Sequence, residues 1–265
     1  MACHPSHQNA SRPVSDGDPC TSVTTAAPAT FRDADARVAR NYRWARAVFD
    51  WFLRRMARSD FHAVRVIGQC PELAPGARAI FVANHCGWWD GLLLLLLQRR
   101  FFPGLPVYSV MLAREFGATF WFRLIGCIPI TPGSTGSVRR LLRRLSQLNR
   151  ENADSGYICS YFPQGEIRPS FARPLKFTSG LRAVANAVAP VTLIPIAFHY
   201  EPMTQRKPEA LIAFGQPMAH HGDPLDLQLV ERLVTDALDG LQRELSIHGE
   251  HLFSEGRGPS YVSLV

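Results

Sequence analysis

At 265 residues with 46% hydrophobic content, the chain is long enough to bury one sizeable core, so one large domain is a simpler division than two small ones. A formal net charge of +7 draws it toward anionic surfaces: nucleic acid, acidic lipid head groups or a phosphorylated substrate. The six cysteines (Cys3, Cys20, Cys70, Cys86, Cys127 and Cys159) lack C-x-x-C spacing, which argues against a zinc site or a disulfide framework and for a reducing compartment.

Residues 1–36 are rich in Pro, Ser, Thr and Ala and hold no apolar block long enough for a secretory signal, so a disordered tail is expected. Residues 37–58 read as an amphipathic helix. Val38, Tyr42, Ala45, Phe49, Phe52 and Met56 fall on one stripe, flanked by Trp44, Val48 and Trp51, with seven arginines on the rest. That composition suits a membrane interface; the plainer reading is a packed helix with a solvated basic face.

Residues 59–250 then alternate short β-rich runs with longer helical ones. Strands are expected at Ala63–Gly68, Ala79–Ala83, Val107–Met111, Cys127–Thr131, Tyr157–Phe162, Val191–His199 and Ala210–Phe214. Helices are expected over the leucine run that ends at Leu97, near Phe116–Leu124, at Ser137–Asn152, at Ser179–Val188 and at Leu225–Leu245, with residues 251–265 as a C-terminal tail. This alternation predicts an α/β fold, a largely parallel sheet flanked by helices and preceded by the amphipathic N-terminal helix. No apolar stretch reaches the roughly 18 residues of a spanning helix. The leucine run stops at Gln98-Arg99-Arg100, and Phe116–Ile130 is broken by Arg123. The chain is therefore expected to sit peripherally or monotopically on the cytoplasmic face of a membrane.

The stretch from Ala79 to Leu97 carries the chemistry. An apolar strand ends in Asn84-His85, four residues intervene before Asp90, and six leucines follow. Sites in such sheets lie at the carboxyl ends of strands, which is where His85 falls. His-x-x-x-x-Asp spacing is weak by itself, since nine His and 12 Asp predict ~0.4 pairs by chance. A second pair, His221 and Asp226, sits beside Pro224 with no strand before it, and there Asp223 or Asp226 is expected to cap the last helix. Five positions apart on one helix, two side chains diverge by about 140°. With His85 in the turn and Asp90 in the first helical turn, the carboxylate reaches back to hold the imidazole, and the helix dipole favours its charge there.

Three further blocks lie downstream: Gly126-Cys127-Ile128-Pro129-Ile130-Thr131-Pro132, Phe162-Pro163-Gln164-Gly165-Glu166-Ile167-Arg168-Pro169-Ser170, and Leu193-Ile194-Pro195-Ile196-Ala197. Lys176-Phe177-Thr178-Ser179-Gly180 follows the second of these. Together with Asn84, His85 and Asp90, and in this order, they resemble the four motif blocks of the 1-acylglycerol-3-phosphate acyltransferase (PlsC-like) family of glycerolipid acyltransferases, over about Val64 to Ala197. The resemblance implies a glycerolipid-acyltransferase-like fold. It also implies acyl transfer from acyl-CoA or acyl carrier protein to a hydroxyl of a lysophospholipid or other lipid acceptor. His85 is then the general base and Asp90 orients it, with no covalent intermediate, no metal and no cofactor beyond the acyl donor. Asn84, Gly126, Thr131, Phe162, Pro163, Gln164, Gly165, Glu166, Arg168, Lys176 and Pro195 become the substrate-binding candidates, and backbone amides near Gly165 the oxyanion donors.

The departures from the family pattern concern the acceptor. Thr131-Pro132 stands where relatives carry Asp-Arg, Gln164 replaces a glutamate, and Arg168 comes one residue late. Such a site points away from lysophosphatidic acid toward another hydroxylated or glycosylated lipid. Against that, Arg168, Lys176 and the cluster Arg139, Arg140, Arg143 and Arg144 offer a phosphate clamp from new positions, although the four arginines also read as a solvated helix face. A thioesterase-like hydrolase and a non-catalytic lipid-binding relative are the alternatives. No nucleic-acid motif is visible, so no nucleic-acid partner is expected.

Overall fold

The computed structural model describes residues 40–118, 120–253 and 261–265. The chain runs α1 (Arg43–Asp60), β1 (Ala63–Ile67), β2 (Arg78–Ala83), α2 (Asp90–Phe101), β3 (Val107–Leu112), α3 (Ala113–Ala118) and β4 (Cys127–Ile130). It continues through α4 (Thr135–Glu151), β5 (Tyr157–Tyr161), α5 (Gly180–Val188), β6 (Val191–Glu201), β7 (Glu209–Phe214), β8 (Met218–His220), α6 (Leu227–His248) and β9 (Tyr261–Ser263). The strands form one sheet in the order β4-β3-β5-β2-β6-β7-β1-β9, with β8 paired to the start of β6. From β4 through β6 neighbouring strands are parallel, whereas β7 lies antiparallel to β6 and β9 antiparallel to β1. The expected α/β architecture with a mostly parallel sheet is what the chain adopts.

Strand β2 lies inside the sheet with helices on both faces, so Ala79 to Ala83 is one unbroken buried run. Its side chains alternate between two cores. Phe81 joins Leu53 of α1 and Leu93 and Leu96 of α2, while Ile80 and Val82 join Leu145 of α4, Leu181 of α5 and Val234 of α6. Burying these large side chains contributes about 1.5–3 kcal/mol each, which makes β2 a rigid support for the turn that follows.

Two prolines mark features of the sheet. Pro195 sits on β6 between the stretch paired with β8 (Val191–Leu193) and the stretch paired with β7 (Ile196–Glu201). Its missing N–H falls where β6 changes neighbours. Pro129 lies in β4, the strand at one border of the sheet.

Several expectations are corrected. In α1 the buried stripe is Ala45, Phe49, Leu53 and Ala57, spaced by four, while Phe52 is exposed with Trp44, Val48 and Trp51. Arg37, Val38 and the tail of residues 1–36, with Cys3 and Cys20, lie outside the described residues. The helix expected near Phe116–Leu124 is split into α3 and a 3₁₀ turn at Phe120–Arg123, and Gly117 lowers helix propensity within it. Part of the expected C-terminal tail is structured: Leu252 is fully buried in a 3₁₀ turn, and β9 closes the outer side of β1. Among the described residues no helix is long and apolar enough to cross a membrane.

Candidate active site

The turn after β2 is fixed from behind by Asn84. Its side-chain amide donates to the carbonyl of Phe198 at 3.0 Å and accepts from the Phe198 amide at 2.7 Å, with Asn84 only 1% exposed. This pairing is possible because β6 overshoots β2. Ala83 pairs with Ile196, and β6 runs on to Glu201 beside the turn. Buried backbone groups that a side chain satisfies in this way hold the strand ends rigidly together.

Asp90, fully buried at the first turn of α2, gathers donors onto both carboxylate oxygens. Oδ2 accepts from the amides of Cys86 at 2.7 Å and Gly87 at 2.9 Å and lies 2.8 Å from His85 Nδ1. Oδ1 accepts from the hydroxyl of Tyr200. Because a carboxylate only accepts, this pattern assigns the proton to Nδ1 of the neutral imidazole and leaves the Nε2 lone pair to act as a base. The His85 side chain is 23% exposed, open enough for a hydroxyl to approach.

The segment after β5 packs over the same histidine. Phe162 stacks on the imidazole at 4.5 Å between ring centres. Gln164, 8% exposed, accepts from the His85 amide through Oε1 at 2.6 Å, and the Arg168 amide donates to the His85 carbonyl at 2.8 Å. Pro163 anchors the far side of this loop, its carbonyl accepting from the hydroxyl and the amide of Thr178. The Arg168 guanidinium lies 3.7 Å from the exposed carboxylate of Glu166. A half-buried histidine, a buried carboxylate that orients it and a loop clamped to its backbone form an arrangement that can accept a proton at Nε2.

A family model described as acyltransferase matches residues 63–199, just over half of the chain. This protein belongs to the acyltransferase family. Among solved structures, the 1-acyl-sn-glycerophosphate (LPA) acyltransferase PlsC of Thermotoga maritima is similar at 18% identity, over 75% of this chain and 79% of that one, with a TM-score of 0.51. At that identity the likeness establishes a shared fold. A search of curated proteins gave no match.

The acyltransferase brings together at His85 the candidates Asp90, Phe162, Gln164 and Arg168, with Asn84, Pro163, Gly165 and Glu166 in the same two segments. It holds others apart. Gly126 precedes β4 at the amino end of the sheet, where φ is +92° and an added Cβ would meet the Val107 carbonyl at 2.7 Å; its place there is a packing one. Thr131 follows the last residue of β4, three strand positions or about 14 Å from β2, with its amide bonded to Ser137 Oγ. Lys176 has φ +61° and its amide bonds Glu231 of α6, while its side chain is exposed. On α4, Arg139, Arg140 and Arg143 are exposed and Arg144 bonds Glu151; an open groove of about 600 Å³ along this helix is lined by Arg139, Leu142, Arg143, Ser146, Gln147 and Arg150, away from His85.

Cys86, the cysteine beside His85, is held in its protonated thiol form. Burial, reinforced by the Asp90 charge, pushes the Cys86 thiol far above the ordinary thiol range, and its Sγ lies 3.3 Å from the Phe198 carbonyl. Tyr200 is the site residue that the motif blocks do not contain. It falls after the last block, and the sequence signal for it is the period-two pattern of a strand longer than expected, which puts Phe198 and Tyr200 on one face.

Proposed function

We propose that this acyltransferase moves a fatty acyl group from a thioester, acyl-CoA or acyl carrier protein, to a hydroxyl of a lipid acceptor. The observation that carries the proposal is the 2.8 Å contact between His85 Nδ1 and an Asp90 oxygen that two backbone amides already hold in place. His85 Nε2 takes the acceptor's hydroxyl proton while the oxygen attacks the thioester carbonyl. Asp90 stabilises the imidazolium, and the collapse of the tetrahedral intermediate releases the thiolate, which recovers that proton. The Gly165 amide is spent on the Phe162 carbonyl at 3.2 Å, so the oxyanion donors are assigned to other backbone amides near Gly165.

A lipid acceptor is supported by the rim. Trp88 in the turn and Ile167 and Phe171 in the loop are 62%, 55% and 76% exposed, so large apolar side chains stand on both segments that flank His85. The exposed face of α1 supports peripheral docking on a membrane. Gln164, in the loop over His85, brings no charge where relatives carry a glutamate, and the arginine of the relatives' Asp-Arg is missing at Thr131-Pro132; both departures favour a hydroxylated or glycosylated lipid over lysophosphatidic acid as acceptor.

The test is to supply labelled acyl-CoA and acyl carrier protein with a panel of lipid acceptors and identify the products by mass spectrometry. An acylated lipid formed by the native protein and lost by at least about a thousandfold in H85A is the expected result. Free fatty acid released without any acceptor would establish a hydrolase instead. Undiminished transfer by H85A would remove the base from the mechanism.

A further inference from the structure

Asp90 meets two sets of donors from opposite sides. Oδ2 faces the turn, where it accepts from two amides and lies against His85; Oδ1 faces β6, where the Tyr200 hydroxyl donates to it. We infer that Tyr200 is a positioning residue of the dyad, and that its hydroxyl fixes the rotation of the Asp90 carboxylate and sets the pH at which His85 becomes a free base. This inference rests on the acyl-transfer reading only in naming the reaction that the dyad serves.

The tyrosine is itself held from several directions. Phe61, just past the end of α1, stacks on its ring at 5.7 Å and 13° between planes, and packs edge-on against Trp89 at 5.2 Å. On the turn side, a Cβ added to Gly87 would lie 2.6 Å from Tyr200 Cε2, so the backbone that donates to Oδ2 rests directly on the ring that donates to Oδ1. Rotating the carboxylate would break both sets of bonds at once. Burial first, and then the Asp90 charge, hold the phenol well above its ordinary range, so it stays a donor throughout the working pH.

The sign of the effect follows from charge. A donor on Oδ1 draws electron density from the carboxylate and weakens its hold on the imidazolium. Removing that donor strengthens the hold, and His85 keeps its proton to higher pH. The other titratable or charged groups facing the dyad do not offset this. Cys86 in the turn stays a neutral thiol, Glu166 and Arg168 in the loop are paired to each other, and the residue just past α1 that packs here brings the uncharged ring of Phe61.

The test is Tyr200→Phe, which keeps the ring and its stack, in the full-length protein. The first readout needs no substrate: in protein carrying ¹⁵N-histidine, the His85 signal is assigned by its absence from H85A and titrated. The expected result is a His85 midpoint raised by about half a pH unit or more. With palmitoyl-CoA as donor and the acceptor panel above, the acid limb should move the same way and kcat should fall about tenfold, with KM for the thioester unchanged. An unmoved titration together with native kcat would reduce Tyr200 to a packing residue. Should Y200F not fold, uniform replacement of tyrosine by 3-fluorotyrosine, a stronger donor, is expected to lower the His85 midpoint, and an unmoved signal would overturn the inference. Free fatty acid formed in place of any acylated lipid would sink the acyl-transfer reading while leaving the titration result standing.

Discussion

Asp90 holds the turn as well as facing His85, because the amides of Cys86 and Gly87 both donate to its Oδ2. Asp90→Asn separates the two roles. An asparagine oxygen still accepts from the two amides, but a neutral side chain stabilises an imidazolium poorly and orients the ring in either tautomer. The variant is expected to keep its far-UV circular dichroism and lose about 10³- to 10⁴-fold in kcat. At this scale much of the site was legible. His85 and Asp90 follow from a strand, a turn and a helix start in succession, and Gln164 and Arg168 from their block. Tyr200 was missed because the strand was expected to end at His199, whereas β6 runs five residues past its pairing with Ala83 and brings the Tyr200 hydroxyl to Asp90, a contact between segments distant in sequence. Gly126 stood out through its block, yet the close approach of Val107, which accounts for it, is a contact between segments distant in sequence.

Among the elements, α6 shows that a cap can be read from residue chemistry alone. Asp226 accepts from the amides of Gln228 at 2.9 Å and Leu229 at 3.0 Å, as the loop before the last helix implied, and its spacing from His221 has no catalytic meaning. Asp226→Ala should cost about 1 kcal/mol in urea denaturation and leave acyl transfer unchanged. The longer strands and helices were visible because burial on one or both faces imposes a period on several consecutive residues. Strands β8 and β9 have three residues each, too few to show any period, and their pairing is decided by what the rest of the sheet leaves open. Helix α1 was legible as amphipathic but not in its phase. With apolar residues on two faces, the pattern does not say which of them meets the domain, and the structure buries the one built on Ala45, Phe49, Leu53 and Ala57.

For the whole molecule, the other face of α1 is the surface with most to explain. Trp44, Val48, Trp51 and Phe52 are 59%, 48%, 67% and 49% exposed, with Arg43 and Arg55 exposed nearby. In the peripheral docking proposed above, apolar bulk edged by arginine would meet the acyl and the phosphate layers of a bilayer interface. Trp44→Ser with Trp51→Ser should release the protein from anionic liposomes in a flotation assay while thermal stability stays within about 1 kcal/mol, because neither side chain is buried. Unchanged flotation would reject that docking surface.

The borders of the sheet bear on what the molecule does among its own copies. A strand border offers unpaired amides and carbonyls to any passing chain, and proteins that gather on a surface meet their copies at high local concentration. Here one border is β4, four residues long and interrupted by Pro129, and the other is β9, three residues long. Neither supplies a template of useful length, and the proline removes a donor from the longer one. If the protein gathers on a membrane as proposed, crowding there is not expected to turn into sheet-to-sheet polymerisation.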